Sequence, residues 1–149
     1  MSDFKLTRIL APTDRSPFSE KAVSYARNLA KHFSAELHVL RIMDDADKAQ
    51  SEFPLTGIID SLQPQDDYSR WLAELVGETG DVRRIESVQI ATDIPEAVVR
   101  YAQHNDIDLV VMATHGRTGL THLLMGSVAE TVVRTAPCPV LTLRPETLK

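Results

Sequence analysis

Five short apolar runs rich in branched side chains alternate with helix-like stretches along the chain. This alternation predicts five β-strands separated by helices, which favours a parallel sheet with helices on both of its faces. The fourth run is apolar at every position, as expected of a central strand that is covered on both faces. Since the chain has 149 residues, we expect one α/β domain over 1–149. The predicted strands are 6–11, 36–42, 85–90, 109–112 and Val140–Leu143.

Four helices are predicted from apolar spacing, and three of them have a clear start signal. Ser16 and Pro17 begin the first helix, because serine caps helices and proline is tolerated at the first helical position. Asp93 precedes the third helix. Ser127 and Glu130 have the spacing of a capping box, which predicts that the Ser127 side chain caps the last helix. The residues expected to face inwards include Ala22, Val23, Ala26, Leu29, Ala30 and Phe33, then Ala97, Val98, Tyr101 and Ala102, and finally Val128, Ala129, Val132 and Val133.

One long connection interrupts this pattern between the second strand and a helix predicted over 65–78. It runs over 44–64 and contains apolar side chains from Phe53 to Ile59, which are unusual in a plain surface loop. Three roles stay open for this connection: it packs locally, it closes over a ligand, or it meets a partner protein.

Composition excludes several classes of partner. Sixteen lysines and arginines against 21 acidic residues give a formal net charge of −5, which offers no attraction to nucleic acid or anionic membranes. No apolar run approaches the roughly 20 residues that cross a bilayer, and the amino terminus lacks the features of a signal peptide. The single cysteine, Cys138, cannot form an internal disulfide and suits a reducing compartment. We therefore expect a cytoplasmic protein with no membrane insertion and no nucleic-acid partner.

The residues after the fourth strand have the features of an anion site. Gly116 and Gly119 let the backbone approach a phosphate closely, and Gly126 and Ser127 open a helix whose free N–H groups donate to anions. Arg117 adds a candidate charge-assisted hydrogen bond. The alternative role is structural, because turn glycines and a capping box need no ligand. If an anion binds here, Gly126→Val is expected to abolish binding and to leave the fold intact.

Asp14 follows the first strand directly and is the second candidate. A carboxylate at a strand end accepts hydrogen bonds from ribose hydroxyls or from an adenine amino group. Its alternative role is that of a turn or cap residue ahead of Ser16 and Pro17. In an open parallel sheet, ligands bind beyond the carboxyl ends of the strands. If the first and fourth strands are neighbours, Asp14 and the glycine loop therefore flank one crevice.

Together these motifs resemble the universal stress protein (UspA-like) family, and the resemblance covers nearly the whole chain. It implies a five-stranded parallel sheet in the order 3-2-1-4-5 and a homodimer formed through the last strand, Val140–Leu143. That strand is apolar, and an exposed sheet edge of this kind invites pairing with a second copy. The matching stretches are Pro12-Thr13-Asp14-x-Ser16, His115 to Leu120, Leu124 to Glu130 and Ala136 to Leu141.

The nucleotide-binding branch of that family carries a Gly-x2-Gly-x9-Gly-Ser/Thr motif. Here Gly116, Gly126 and Ser127 match the motif, whereas Ala113 stands where its first glycine is expected. This departure bears on nucleotide binding because alanine disfavours a left-handed backbone. ATP is the expected cofactor, with or without magnesium. The resemblance implies ATP contacts at Pro12, Thr13, Asp14, Ile42, Met112, Ala113, His115, Gly116, Gly126, Ser127 and Val128. Arg117 is added to these expected ATP contacts because its charge suits phosphate.

A binding module is favoured over an enzyme, and no catalytic or metal-binding residue is assigned. No pair of carboxylates stands at the glycine loop to hold magnesium, and Gly126-Ser127-Val128 lacks the Gly-x-Ser-x-Gly pattern of a nucleophile elbow. The histidines without metal-ligand spacing are expected on the surface: His32, His38, His104 and His122. The expected function is an ATP-binding stress-response or signalling protein whose nucleotide tunes its conformation or its unidentified protein partner. A nucleotide-independent dimeric interaction protein and a slow ATPase stay open as alternatives.

Overall fold

The computed structural model describes residues 3–44, 70–71, 73–74, 82–115 and 125–144. The elements, numbered along the chain, are β1 (Arg8–Thr13), α1 (Pro17–Phe33), β2 (Glu36–Met43), β3 (Arg84–Ile90), α2 (Ile94–His104), β4 (Leu109–Ala113), α3 (Ser127–Thr135) and β5 (Val140–Leu143). All the strand pairs are parallel, and the strand order β3-β2-β1-β4-β5 confirms the expected order. No helix among the described residues is long and apolar enough to cross a membrane.

Two apolar clusters hold the sheet, one on each of its faces. Ile9 and Ala11 of β1 belong to the first cluster, whereas Leu10 between them belongs to the second, because successive strand side chains point to opposite faces. Helix α1 packs into the first cluster, and α2 and α3 pack into the second through Val98 and Val132. We call these sides the α1 face and the α2–α3 face. Helices on both faces are therefore confirmed.

Strand β1 differs most from its prediction, since it is shifted by two residues towards the carboxyl end. At its start, the backbone N–H groups of Thr7 and Arg8 donate to the Asp108 carboxylate at 2.8 and 2.9 Å. At its end, Pro12 stays in register with β2 although it lacks an N–H group. The other strands match their predicted spans to within one residue. The shift moves Thr13 into the strand and leaves Asp14 immediately after it.

The starts of α1 and α2 confirm their sequence signals. The Ser16 hydroxyl accepts a hydrogen bond from the Ser19 N–H at 3.2 Å. The Asp93 carboxylate accepts one from the Glu96 N–H at 3.0 Å. Each side chain satisfies one of the N–H groups that a helix leaves without a partner in its first turn.

The predicted capping box of α3 is wrong. The residue at the cap position is Gly126, which has no side chain to cap the helix, and Ser127 is already helical. The Gly126 N–H donates to the Thr114 carbonyl at 2.7 Å, and this contact with the end of β4 brings the helix start forward by one residue. Glu130 pairs instead with Arg134, one turn later, at 2.7 Å.

Two apolar side chains that were expected to face inwards lie at the surface. Phe33 is 51% exposed and Val133 is 46% exposed. Phe33 is the last residue of α1, and its ring packs edge-on against the neighbouring His32 with 5.0 Å between centroids. In α3, the buried residues are Ala129 and Val132. In both helices the apolar spacing alone therefore overestimates the buried face.

His38, which was expected at the surface, is only 3% exposed. Its Nδ1 lies 2.8 Å from the Tyr101 hydroxyl, and its Nε2 lies 2.8 Å from the Glu36 carboxylate. Because an ionised carboxylate only accepts, Nε2 carries the proton and Nδ1 of the neutral ring accepts from Tyr101. Burial lowers the pKa of His38 below its usual range, despite the opposing effect of Glu36. A polar residue is buried here because Glu36 on the same strand and Tyr101 on α2 satisfy its two ring nitrogens.

Two predictions fall largely outside the described residues. Of the helix predicted over 65–78, the helical residues that the structure describes are Arg70, Trp71, Ala73 and Glu74. The connection predicted over 44–64 is described only at its first residue, Asp44, directly after β2. The three roles considered for it therefore stay predictions.

Candidate functional site

A cleft of about 280 Å³ opens at the edge of the sheet where the strands end. It lies beyond the carboxyl ends of β1, β2 and β4, and the strand order changes direction between β1 and β4. In open parallel sheets this switch point is where ligands bind, because the connections on its two sides diverge. Helices α2 and α3 begin at the rim of the cleft.

Every predicted ligand residue that the structure describes lines this cleft. Gly116 and Arg117 lie outside the described residues, and their roles stay predictions. The others come from the ends of three strands and from the start of α3, which are far apart along the chain. They are Pro12, Thr13, Asp14, Ile42, Met112, Ala113, His115, Gly126, Ser127 and Val128.

Sequence reasoning missed some residues of the lining. Leu40 lies on the same face of β2 as Ile42, and Asp44 follows β2 as Asp14 follows β1, so a signal was present for both. The rest come from α1 and α2, whose approach to the cleft depends on helix packing that no local pattern reveals. The missed residues are Ser19, Leu40, Asp44, Ile94 and Val98.

The turn after β1, residues 13–16, is held by its own side chains. The Thr13 hydroxyl accepts a hydrogen bond from the Arg15 N–H at 3.0 Å and lies 2.9 Å from the Ser19 hydroxyl. The Asp14 Oδ1 atom accepts one from the Ser16 N–H at 2.9 Å. Arg15 has a φ of 64°, a left-handed conformation that costs free energy in any residue with a Cβ atom. Several bonds thus fix the conformation in which Asp14 reaches the cleft.

Gly126 is required by a close contact and not by an unusual backbone angle. Its φ of −69° is accessible to any residue. A Cβ atom at this position would lie 2.8 Å from the Thr114 carbonyl oxygen. Any larger side chain would therefore push the start of α3 away from β4. Gly126→Val is therefore expected to shift the start of α3 locally, and an otherwise intact fold remains a prediction.

The first turn of α3 meets the cleft through Gly126, Ser127 and Val128. The N–H groups at a helix start have no partner within the helix and carry a partial positive charge. Because the cap residue Gly126 has no side chain to accept from this turn, these groups are suitable donors to an anion.

Ala113, the departure from the glycine motif, fits the strand without strain. It is the last residue of β4 and pairs in register with Leu143. The described non-glycine residues with positive φ are Arg15, Ser34 and Asp106, so Ala113 is not in a left-handed conformation. It packs against the cluster on the α1 face, whereas Met112 belongs to the cluster on the α2–α3 face. The backbone at this position does not require glycine.

His115 lines the cleft close to the start of α3. The side chains of His115 and Thr114 are both buried, and the Thr114 hydroxyl lies 2.9 Å from His115 Nδ1. The Thr114 backbone is fixed on both sides, since its N–H donates to the Leu143 carbonyl at 3.0 Å and its carbonyl accepts from Gly126. The imidazole is therefore anchored next to the uncapped turn.

The cleft has two chemically different ends. Asp14 and Asp44 bring carboxylates to the ends of β1 and β2, while the opposite side carries the backbone donors of α3. Apolar side chains, among them Leu40, Ile42 and Met112, line the same cleft. This arrangement suits a ligand with a hydroxyl-rich or amine-bearing part, a flat apolar part and an anionic tail. Within the described ranges, no group of three or more His, Cys, Asp or Glu residues has a metal-binding arrangement.

Comparison with known families and comparison with known sequences both identify the same family. A model of the universal stress protein family matches residues 5–144. A universal stress protein from Methanocaldococcus jannaschii is 33% identical over 150 aligned residues, which cover 92% of this chain and 81% of the relative.

Solved structures of similar fold include universal stress protein UspA from Lactobacillus plantarum. It superposes with a TM-score of 0.74 at 25% identity, covering 94% of this chain and 99% of the other. A universal stress protein in complex with cAMP superposes with a TM-score of 0.68 at 20% identity over 94% and 98% of the two chains. One from Archaeoglobus fulgidus in complex with dAMP gives 0.62 at 16% identity over 93% and 98%. At such identities, these two complexes establish only that the fold is shared.

Proposed function

Because this chain belongs to the universal stress protein family, we propose that it is an ATP-binding member whose nucleotide tunes its conformation or its choice of protein partner. One observation carries the proposal: a single cleft joins Asp14 at the end of β1 to the uncapped first turn of α3. A carboxylate for hydroxyl or amino groups and free backbone donors for phosphate are thus available to the same ligand.

Each part of ATP has a matching region in the cleft. The adenine ring would pack on the apolar side chains of Leu40, Ile42 and Met112, because aromatic heterocycles bind in apolar slots. The ribose hydroxyls would donate to Asp14. The phosphates would accept hydrogen bonds from the N–H groups at the start of α3. His115 would stand beside the phosphates, and Gly116 and Arg117 would complete their binding loop.

The two nucleotide complexes among the structural neighbours support an adenine nucleotide as the ligand class. Their ligands, cAMP and dAMP, share an adenine ring, a pentose and one phosphate group. ATP extends this common part by two phosphates, and the uncapped turn of α3 supplies donors for such a tail. Magnesium, if it accompanies ATP, would supply positive charge that offsets the phosphates.

Calorimetry on protein stripped of carried-over ligand tests the proposal. ATP, ADP, AMP and adenosine are titrated with and without magnesium, and GTP is the matched control for the base. We expect saturable binding of ATP that weakens as phosphates are removed. Absence of ATP binding at millimolar concentration would refute the proposal and favour a nucleotide-independent interaction protein. Release of ADP above the background of an Asp14→Asn variant would favour a slow ATPase.

We also propose that two copies pair through β5. This strand is at the margin of the sheet and pairs with β4 on one side. Its residues Val140 and Leu141 are apolar and half-buried. A second copy that adds its own β5 would satisfy the outer backbone groups in a symmetric contact. Sedimentation at micromolar concentration should give a dimer, and a monomer under these conditions would contradict the pairing.

A further inference from the structure

The residue that follows Asp14 is held in a strained conformation by contacts on two sides. Arg15 has a φ of 64°, and its N–H donates to the Thr13 hydroxyl at 3.0 Å. Strained residues persist only where the surrounding structure holds them, and they are common beside ligand sites. One contact is the hydrogen bond from the Arg15 N–H to the Thr13 hydroxyl. The other is made by the Arg15 side chain.

The Arg15 guanidinium lies over the ring of Trp71, with 5.1 Å between the guanidinium carbon and the ring centroid. This distance is typical of a cation–π contact. The Trp71 indole N–H donates in turn to the Glu20 carboxylate at 2.6 Å. Its ring also packs against the apolar cluster of the α1 face. Trp71 is therefore tied to the residue after Asp14 and to the first turn of α1, beside Ser19 in the cleft lining.

We propose that Trp71 is a positioning residue for the nucleotide, and this inference rests on the proposed function. By holding the Arg15 side chain, Trp71 stabilises the strained turn that presents Asp14 to the cleft. Trp71 belongs to the stretch of chain between β2 and β3. Since coupling between two binding events is reciprocal, ATP in the cleft also stabilises the contacts that Trp71 makes with Arg15 and Glu20. Nucleotide occupancy is thereby communicated from the strand ends to Trp71.

The chain contains a single tryptophan, so its fluorescence reports on the surroundings of Trp71. The first experiment titrates ATP into the full chain and records tryptophan emission in parallel with calorimetry. We expect a saturable change of emission whose midpoint equals the calorimetric dissociation constant. An emission spectrum that stays constant while calorimetry shows saturation would overturn the inference and leave the proposed function standing. If calorimetry detects no ATP binding, the proposed function fails first and the inference fails with it.

The second experiment uses matched substitutions at both ends of the contact. Arg15→Gln removes the cation, and Arg15→Lys restores one at the same strained position. We expect Arg15→Gln to weaken ATP binding about two- to fivefold, the effect of one exposed cation–π contact, and Arg15→Lys to recover most of the loss. Trp71→Leu should weaken binding more than Trp71→Phe, which keeps an aromatic face.

Arg100→Gln is the control for the change of net charge, because Arg100 pairs with Glu96 on α2 and is not part of the cleft lining. Thermal unfolding of each variant shows whether the fold is retained. Equal ATP affinity in wild type, Arg15→Gln and Trp71→Leu would overturn the positioning role. An equal loss in Arg100→Gln would also overturn it, since the effect would then come from net charge.

Discussion

The first turns of α1 and α3 meet the same cleft from different sides, yet their N–H groups have different partners. At α1, the Ser16 hydroxyl accepts a hydrogen bond from the Ser19 N–H, so the protein caps this helix itself. At α3, the cap residue is Gly126, which has no side chain, and among the described residues no side-chain cap is found for the first turn. Uncapped N–H groups at a helix start attract anions. We therefore expect the phosphates at α3 and the ribose at the β1 side.

Among the substitutions that test this comparison, Ser127→Pro is expected to have the largest effect on ATP affinity. Ser127 is the first helical residue of α3, where proline is well tolerated. The preceding Gly126 has a ψ of 161°, which is the extended conformation that a following proline requires. The substitution removes a backbone donor without breaking the helix, and calorimetry should show ATP affinity reduced about tenfold or more, as for a hydrogen bond to a charged group.

The matched control for that experiment is Ser127→Ala, which removes the hydroxyl and keeps the N–H group. It should bind ATP more tightly than Ser127→Pro does. Adenosine affinity should be similar in both variants, because adenosine has no phosphate to contact α3. Wild-type ATP affinity in Ser127→Pro would show that the phosphates do not lie at this helix.

Asp14→Asn addresses the other side of the cleft and should have the next largest effect. The asparagine oxygen can still accept from the Ser16 N–H, so the turn is retained while the charge is lost. We expect affinity to fall about three- to tenfold, as for one ordinary hydrogen bond, and to fall equally for ATP and adenosine in calorimetry. A loss restricted to ATP would place the phosphates at the β1 side and reverse the comparison.

Ser16→Ala removes the cap that distinguishes α1 from α3. Loss of a serine cap lowers the free energy of unfolding by about 1 kcal/mol, which urea unfolding without nucleotide measures. ATP affinity should change by less than about twofold, because the capped N–H is not a ligand donor in this account. Weaker ATP binding comparable to that of Ser127→Pro would show that both helix starts contribute donors.

The smallest expected effect is a pH dependence that arises away from the cleft, at His38 of β2. Burial, with Arg8 and Arg83 nearby, lowers the pKa of His38 below its usual value, and Glu36 only partly opposes this. The unfolded chain therefore takes up a proton first as pH falls below about 6.5. The free energy of unfolding should decline from there towards the lowered pKa, with a slope below the one-proton limit of about 1.4 kcal/mol per pH unit.

Urea unfolding between pH 5 and 8 measures this slope, with His38→Gln as the control that lacks the titrating ring. ATP affinity over the same range, compared between wild type and this control, should not differ. The slope would be attributed to other groups if His38→Gln retained it. A difference in ATP affinity between the two proteins would connect His38 to the cleft.

The sequence patterns identified most of the site because of one general property of parallel sheets. The carboxyl ends of all their strands meet at one edge, so residues that follow different strands, such as Asp14 and His115, could be assigned to one crevice. Caps of α1 and α2 were also predictable, since a cap is made by residues within one turn of the helix. In both cases, the residues next to a strand end or a helix start were enough to make the prediction.

Features that depend on contacts between distant segments were not predictable. The start of α3 is set by the hydrogen bond from Gly126 to Thr114, twelve residues away, and this contact overrides the capping-box spacing. His38 can be buried because the Tyr101 hydroxyl, on another element, donates a hydrogen bond to its Nδ1. The motif alone could not decide the effect of Ala113, because that effect depends on whether the backbone there is extended or left-handed.

An amide titration by NMR shows directly whether the phosphates lie at the start of α3. ATP is added to stripped, ¹⁵N-labelled protein, and the chemical-shift changes of backbone N–H groups are compared with those caused by adenosine. We expect the ATP-specific changes to be largest at Ser127 and Val128, and the Asp14 amide to respond to both ligands. No saturable change, or ATP-specific changes concentrated at the start of α1 and absent from α3, would contradict it.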